Sequence, residues 1–157
     1  MRHISFLFIF LFVGNCFAQN IPNELVGIWS NNSFPSSRNA SNSLSVPVTS
    51  TTFEYVFSAN GDFNVRYFTM TTISGCTNSL LNYKTGKVEV NGDQITFTPT
   101  KDTWKTTASC TPKSDKYGKN KLKTETFTWR IKQYEKGKPF ISLMNARGEN
   151  YYWREEK

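Results

Sequence analysis

Residues 53–67 read FEYVFSANGDFNVRY, and this stretch decides the fold class. Apolar and polar residues alternate on both sides of the turn sequence at 60–62, which is typical of a β-hairpin with one dry face. A three-residue loop with Gly61 in the left-handed region keeps both apolar sets on that face, whereas a two-residue loop puts them out of step. The register that follows pairs Phe57 with Val65 and Tyr55 with Tyr67.

The same alternation continues downstream of this hairpin. Asn91-Gly92 predicts a second hairpin with a two-residue loop and with Val88 opposite Ile95. The apolar residues of the inner face change phase along the strand before it, because Leu81 and Tyr83 fall on odd positions and Val88 and Val90 on even ones. We therefore expect one residue to be absorbed by a bulge at Thr85-Gly86.

The pattern of the whole chain predicts an all-β protein. No window of helical length shows a convincing period of 3.6, and counting Leu25–Asn31 as the first strand gives roughly eight strands joined mostly by short loops. That count closes a small antiparallel up-and-down barrel. A two-sheet sandwich shows the same alternation but needs longer crossovers, which only residues 31–50 and 110–121 could supply.

The first residues have the features of an export signal. A basic start precedes the apolar run Phe6–Val13, and a small-x-small cleavage site follows at Cys16 and Ala18, so we expect a signal peptide at 1–18 and one β-barrel domain at 19–157. The apolar run is too short for a transmembrane helix, which needs about 20 residues. A secreted or periplasmic protein is the expectation, and the alternative is a lipid anchor at Cys16, because residues 13–16 loosely resemble a bacterial lipobox.

Two cysteines, Cys76 and Cys110, remain in the predicted domain. An even pair in an oxidising compartment predicts a disulfide.

The chain carries a net charge of +7, of which +6 remains when Arg2 is removed with the signal. Several basic residues crowd one polar stretch: Lys113, Lys116, Lys119, Lys121 and Lys123. This stretch is either a solvated loop or a patch for an anionic partner such as lipid headgroups or acidic glycans. Nucleic acid is not an expected partner of an exported chain.

The sequence LVGIW at residues 25–29 resembles the Gly-x-Trp opening of lipocalins and their bacterial lipocalin-like relatives. The resemblance implies that Trp29 plugs the closed base of the barrel and that an Arg of the last strand, Arg154 by position, lies against it. If Trp153 points inward, Arg154 points outward, and Arg130 or Arg147 takes that role or none does. Residues 27–31 also resemble the first strand of avidin-type barrels, which supports the architecture and not biotin binding.

The composition argues against an enzyme. The single histidine, His3, lies in the predicted signal, so the domain has no imidazole for a catalytic triad or a histidine-rich zinc site. Bridged cysteines offer no thiolate, and no acidic pair has the pattern of a general acid and base. We expect no catalytic residue, metal or cofactor; an enzyme would need a carboxylate pair inside the barrel.

The candidate ligand-binding residues are the inward aromatic ones: Tyr55, Phe57, Tyr67, Phe97, Phe127 and Trp129. They predict a carrier of a small apolar molecule. The alternative is an extracellular or envelope interaction module, in which the barrel is a solid scaffold and its loops bind a protein or glycan.

Overall fold

The structure, a computed structural model, describes residues 21–33, 48–133 and 137–156. The predicted signal peptide at 1–18 and Cys16 lie outside these residues. The described strands are β1 (Gly27–Ser33), β2 (Val48–Phe57), β3 (Asp62–Ile73), β4 (Cys76–Asn91), β5 (Gln94–Ala108), β6 (Lys116–Lys119), β7 (Glu125–Gln133), β8 (Pro139–Asn145) and β9 (Gly148–Arg154). A short 3-10 turn, Pro112–Ser114, precedes β6.

The strands close into one antiparallel barrel. Successive strands pair from β1 to β5 and from β7 to β9, while β7 pairs with β5 and β9 returns to β1. Strands β6 and β7 pair with different parts of β5 in a common register, Thr103 with Lys119 and Phe97 with Glu125, so they form one interrupted strand. The predicted all-β, eight-stranded barrel is confirmed, and the sandwich alternative is set aside.

The first hairpin has the predicted three-residue loop, but the loop begins one residue earlier in the chain. Gly61 has φ 77, and its N–H donates to the Ser58 carbonyl, so the three-residue loop is 59–61. The Asn60 side chain accepts a bond from the Asp62 N–H, which favours this earlier turn. The predicted register is therefore wrong: Phe57 pairs with Phe63, Tyr55 with Val65 and Phe53 with Tyr67. Side chains alternate between the two faces of a strand, so shifting the pairing by two residues leaves the same side chains on the inner face.

The second hairpin shows the same kind of displacement. Asn91 pairs with Gln94, so the loop is Gly92-Asp93, and Val88 lies opposite Phe97 instead of Ile95. The inner face is again unchanged.

The phase change along β4 is resolved in a way that the sequence did not predict. Thr85 pairs with Lys101 and Gly86 with Pro99, so Thr100 of β5 is the extra residue and β4 runs through without a break. A Cβ on Gly86 would overlap the Thr98 carbonyl, so the absent side chain lets the bulged strand approach.

The consequence of this bulge is that β4 turns a different set of residues inward. Lys84 lies opposite the buried Val65 on β3, whereas Tyr83 lies opposite Arg66 and is 37% exposed. Leu81 and Tyr83 therefore face outward, contrary to the prediction. Asn82 and Lys84 take the inner positions instead.

The closed base is built around Trp29, which has 0% exposure and donates from Nε1 to the Leu25 carbonyl at 2.8 Å. The Arg154 guanidinium lies 5.3 Å from the Trp29 ring and donates to the Val26 carbonyl at 2.8 Å. Trp153 is 42% exposed and Tyr152 is the buried neighbour, so Arg154 points inward. The arrangement implied for Trp29 and Arg154 is thus observed, and the alternatives Arg130 and Arg147 are not needed.

The predicted disulfide is present between Cys76 and Cys110, whose Cα atoms are 5.5 Å apart. It joins the start of β4 to the residues just after β5, at the end of the barrel opposite Trp29. No helix in the described part of the chain is long and apolar enough to cross a membrane.

Candidate functional site

The barrel interior is packed solid near its base. Around Trp29 lie fully buried side chains from many strands: Leu25, Phe57, Phe63, Val88, Ile95, Ile141 and Leu143. This half of the interior is a core that stabilises the fold.

The six predicted ligand-binding residues all face inward, but they do not line one cavity together. Tyr55, Phe57, Phe97 and Trp129 are buried in the core, and Phe127 packs against it. The Phe97 ring contacts Tyr55, Phe57 and Phe127 at centroid distances of 5.6, 5.9 and 5.7 Å. Tyr67 alone of the six lines the cavity described next.

Above this core the interior opens into a cavity of about 300 Å³. Its lining comes from β2 to β5 and from the residue after β6: Phe53, Val65, Tyr67, Asn82, Lys84, Asp102 and Asn120. The part of the lining from β2 and β3 is thus aromatic and apolar, and the part from β4, β5 and the residue after β6 carries amide and charged groups. This volume lies at the small end of ligand pockets, which hold about 300–1,000 Å³.

Three of these lining residues, Lys84, Asp102 and Asn120, carry polar groups that contact one another; with Glu125, which contacts Lys84 and is not among the lining residues, we call them the polar cluster. The Lys84 ammonium lies 3.5 Å from Asp102 Oδ2 and 3.2 Å from Glu125 Oε2. Asn120 donates to the other Asp102 oxygen at 2.8 Å, so Asp102, which is 8% exposed, is bonded on both oxygens. Burying a carboxylate costs free energy unless it is paired and hydrogen-bonded in this way.

The polar cluster lies beside the interruption of the barrel wall. Between the β5–β6 and β5–β7 ladders, residues 98–102 of β5 form no strand pair with residues 120–124, although they pair with β4 on their other side. Within this gap Pro99 has no N–H to donate. At the edge of the gap the Asn120 N–H donates to the Asp102 carbonyl. The interruption brings three side chains together, because Asp102, Asn120 and Glu125 lie at the ends of the two segments that do not pair with each other.

A pair of phenols lies between the core and the polar cluster. The rings of Tyr55 and Tyr152 are 4.9 Å apart, edge to face. Burial raises the pKa of Tyr55 well above its usual range, and Tyr152 and the Glu125 carboxylate raise it further. Burial also raises the pKa of Tyr152. Both phenols therefore stay neutral at physiological pH.

Among the described residues, the polar cluster carries a formal charge of −1, from the Lys84 ammonium and the carboxylates of Asp102 and Glu125. The Arg154 guanidinium is held at the base by Trp29 and Val26. In the described part of the chain, no group of three or more His, Cys, Asp or Glu side chains is placed to hold a metal ion.

A second cavity, of about 360 Å³, lies at the disulfide end of the barrel. Hydroxyl and amide groups dominate its lining, which includes Thr69, Thr71, Asn78, Ser79, Thr106 and Thr107. Its composition suits water better than an apolar ligand.

The surface carries two further features. The predicted basic patch, Lys113 with Lys116, Lys119, Lys121 and Lys123, is exposed throughout. An apolar patch lies on the outer face of β8 and β9, where Met144, Tyr151 and Trp153 are exposed and Phe140 packs beneath the Trp153 ring at a centroid distance of 5.1 Å.

No family model matches this chain, and no curated protein is significantly similar to it. The class of protein is therefore defined by its own geometry, a closed eight-stranded antiparallel barrel with a sealed base and a partly polar cavity above it.

Proposed function

We propose that the protein is an exported, lipocalin-like carrier that binds one small molecule inside the barrel. The observation that carries this proposal is the cavity of about 300 Å³ above the sealed base, which the rings of Phe53 and Tyr67 line together with Lys84 and Asp102. Binding sites for small molecules combine apolar walls with a few placed polar groups. The cavity meets both requirements.

The lining changes the kind of ligand that the sequence suggested. Aromatic residues alone predicted an apolar molecule, but Asn82, Lys84, Asp102 and Asn120 line the same cavity as Phe53 and Tyr67. A wholly apolar ligand would displace water from these polar groups and replace none of its hydrogen bonds, which is unfavourable. We propose a small ligand with one apolar part and one polar part.

Two observations support the wider proposal. The contact of Arg154 with Trp29 at the base is the one that the lipocalin resemblance implies. The Cys76–Cys110 disulfide is compatible with an extracellular or periplasmic location. The predicted signal peptide would supply the export.

Binding is also favoured over catalysis. The interior does contain the two carboxylates that an enzyme would need, Asp102 and Glu125, but one ammonium, that of Lys84, pairs with both. We propose that this arrangement positions a ligand and does not transfer protons.

Native mass spectrometry of the exported protein, together with displacement of an environment-sensitive fluorescent probe, tests the proposal. Asn82→Phe should fill the cavity and weaken probe binding by roughly tenfold or more, because the new ring occupies the ligand's space. Leu81→Phe is the matched control, since Leu81 faces outward one residue away. Equal binding by both variants, or no ligand and no probe binding at all, would refute a carrier.

The outer apolar patch favours a second candidate, an interaction module on a barrel scaffold. Tyr151 and Trp153 are each 42% exposed on the outer face of β9. Exposed aromatic residues are common in interfaces. Oxidative footprinting in a native extract should then protect Trp153 and leave Tyr67 unchanged, and an unprotected Trp153 would contradict this candidate.

A further inference from the structure

We propose that the outer surface of β3–β6 binds an acidic polysaccharide, a chain of sugar rings that carry carboxylate or sulfate groups. This site lies on the outside of the barrel, so it does not rest on the proposed carrier function. The proposal follows from the charge of this surface, from the placement of two tyrosine rings and from the groove that both rings line.

Strand pairing assembles this surface from four strands. Arg66 of β3 lies opposite Tyr83 of β4, and Tyr83 lies opposite Thr103 of β5. Thr103 in turn lies opposite Lys119 of β6. Residues directly opposite each other share a face of the sheet, and Tyr83 faces outward, so the whole row is on the outside. We call the outward residues around this row the basic face: Arg66, Tyr83, Lys101, Lys105, Tyr117 and Lys119.

Four cations surround Tyr83 on the basic face. Lys101 and Lys105 lie four residues apart on β5, or about 13 Å at the rise of a strand, and Arg66 and Lys119 lie three strands apart, or about 14 Å. All four are exposed, and the ion pairs found among the described residues include none of them. Glu54 lies opposite Arg66 at the margin and offsets one charge. The remaining positive charge is complementary to a partner with several anionic groups.

The tyrosine rings favour a partner made of sugars. The Tyr83 hydroxyl donates to Asn64 Oδ1 at 3.0 Å, which fixes the orientation of a ring that is 37% exposed. The Lys101 ammonium lies 5.8 Å from the centroid of the same ring. A sugar ring can pack its flat apolar side on an aromatic ring while its acidic group pairs with a cation beside that ring. Tyr83 and Lys101 offer this combination.

A groove of about 310 Å³ on this surface has both Tyr83 and Tyr117 in its lining, together with Leu81, Thr103 and Lys105. A concave site bordered by cations suits one ring of an acidic chain. Proteins that bind an anionic bilayer insert projecting apolar side chains between the headgroups. The aromatic residues of the basic face carry hydroxyls instead, so the groove favours a polysaccharide over a membrane.

The experiment separates charge from sugar rings with three polymers. Polygalacturonate carries a carboxylate on each ring, its methyl ester has the same rings without charge, and poly-L-glutamate has the carboxylates without rings. Surface plasmon resonance with the intact protein at neutral pH should show polygalacturonate binding roughly tenfold more tightly than poly-L-glutamate, and the ester binding most weakly. Dextran sulfate and neutral dextran repeat the comparison for sulfate groups. Added salt should weaken binding, because exposed charges are screened.

Variants locate the site. Lys101→Gln combined with Lys105→Gln should lower the affinity for polygalacturonate by roughly tenfold. Arg130→Gln combined with Lys132→Gln is the control, because it removes the same charge from exposed positions on β7, and it should change the affinity by less than about threefold. Tyr83→Leu should weaken binding by roughly fivefold, whereas Tyr83→Phe keeps the ring and should bind as the original does. Circular dichroism checks that the variants fold.

Three outcomes would overturn the proposal. Equal losses in the two double variants would mean that overall charge, and not the basic face, drives binding. Poly-L-glutamate that binds as tightly as polygalacturonate and dextran sulfate would show that sugar rings are not recognised. Tighter binding to vesicles of phosphatidylcholine and phosphatidylserine than to either acidic polysaccharide would identify a membrane surface instead. None of these results affects the carrier proposal, which the inward substitution Asn82→Phe tests separately.

Discussion

Removal of the Cys76–Cys110 disulfide should be the largest loss of stability that two surface substitutions can cause. The bridge joins residues with a sequence separation of 34. Constraining a loop of that length lowers the entropy of the unfolded chain by about 13 cal/mol/K, which is about 3.8 kcal/mol at 25 °C in the chain-entropy model. We therefore expect Cys76→Ala combined with Cys110→Ala to lower the free energy of unfolding by about 3–4 kcal/mol.

Urea unfolding, monitored by tryptophan fluorescence, measures this difference, and the melting temperature should fall by about 10 °C. The Ser109 N–H donates to the Thr77 carbonyl beside the bridge, so backbone bonds keep the two chain ends close after its removal. The double variant should therefore stay folded, with faster hydrogen exchange after Cys110 than in the core.

The control is a reductant. It should lower the stability of the original protein to that of the double variant and should leave the double variant unchanged. A difference below about 0.5 kcal/mol between oxidised protein and variant would refute the reasoning, and so would two free thiols in the protein purified without reductant.

Three further predictions concern the core. Trp29→Ala should cost about 3–5 kcal/mol in urea unfolding, because it empties the base of the barrel, and a cost below about 1 kcal/mol would contradict that role. Gly86→Ala should cost about 2 kcal/mol or more, since the added methyl overlaps the β5 backbone, whereas its neighbour Thr85→Ala should cost less. The raised pKa of Tyr55 means that the folded state holds this proton more tightly than the unfolded state, so stability should fall as pH rises above about 10. Tyr55→Phe should flatten that fall, measured as unfolding free energy between about pH 9 and 11, and Tyr117→Phe, at an 88% exposed position, should not.

The positions of the hairpin loops show how much of the strand pairing local sequence can predict. Alternation around Gly61 and Gly92 predicted both hairpins and their inner faces, yet each loop lies one residue from its predicted place. Moving a loop by one residue slides the pairing by two, which keeps every side chain on its face. Apolar periodicity therefore cannot distinguish the two registers, and the hydrogen bonds of Ser58 and Asn60 decide the first one.

The candidate site was harder to predict for a related reason. Leu81 and Tyr83 are the more apolar residues of their segment, so pattern alone placed them inside. The bulge at Thr100 lies on the neighbouring strand, and the uninterrupted path of β4 turns Asn82 and Lys84 inward instead. A charged residue with its own buried partner can occupy an inner position, which a rule based on hydrophobicity does not anticipate.

By itself the sequence determined the all-β class, the barrel, the buried Trp29 and the pairing of Cys76 with Cys110. These follow from local alternation, from one short motif and from the number of cysteines, and none of them requires knowledge of which distant strands meet. Only the tertiary structure decided that Lys84 of β4, Asp102 of β5 and Glu125 of β7 meet in the polar cluster. The physical reason is closure: β4 and β7 flank β5 on opposite sides, and the interruption in one ladder admits charges that a continuous wall would exclude.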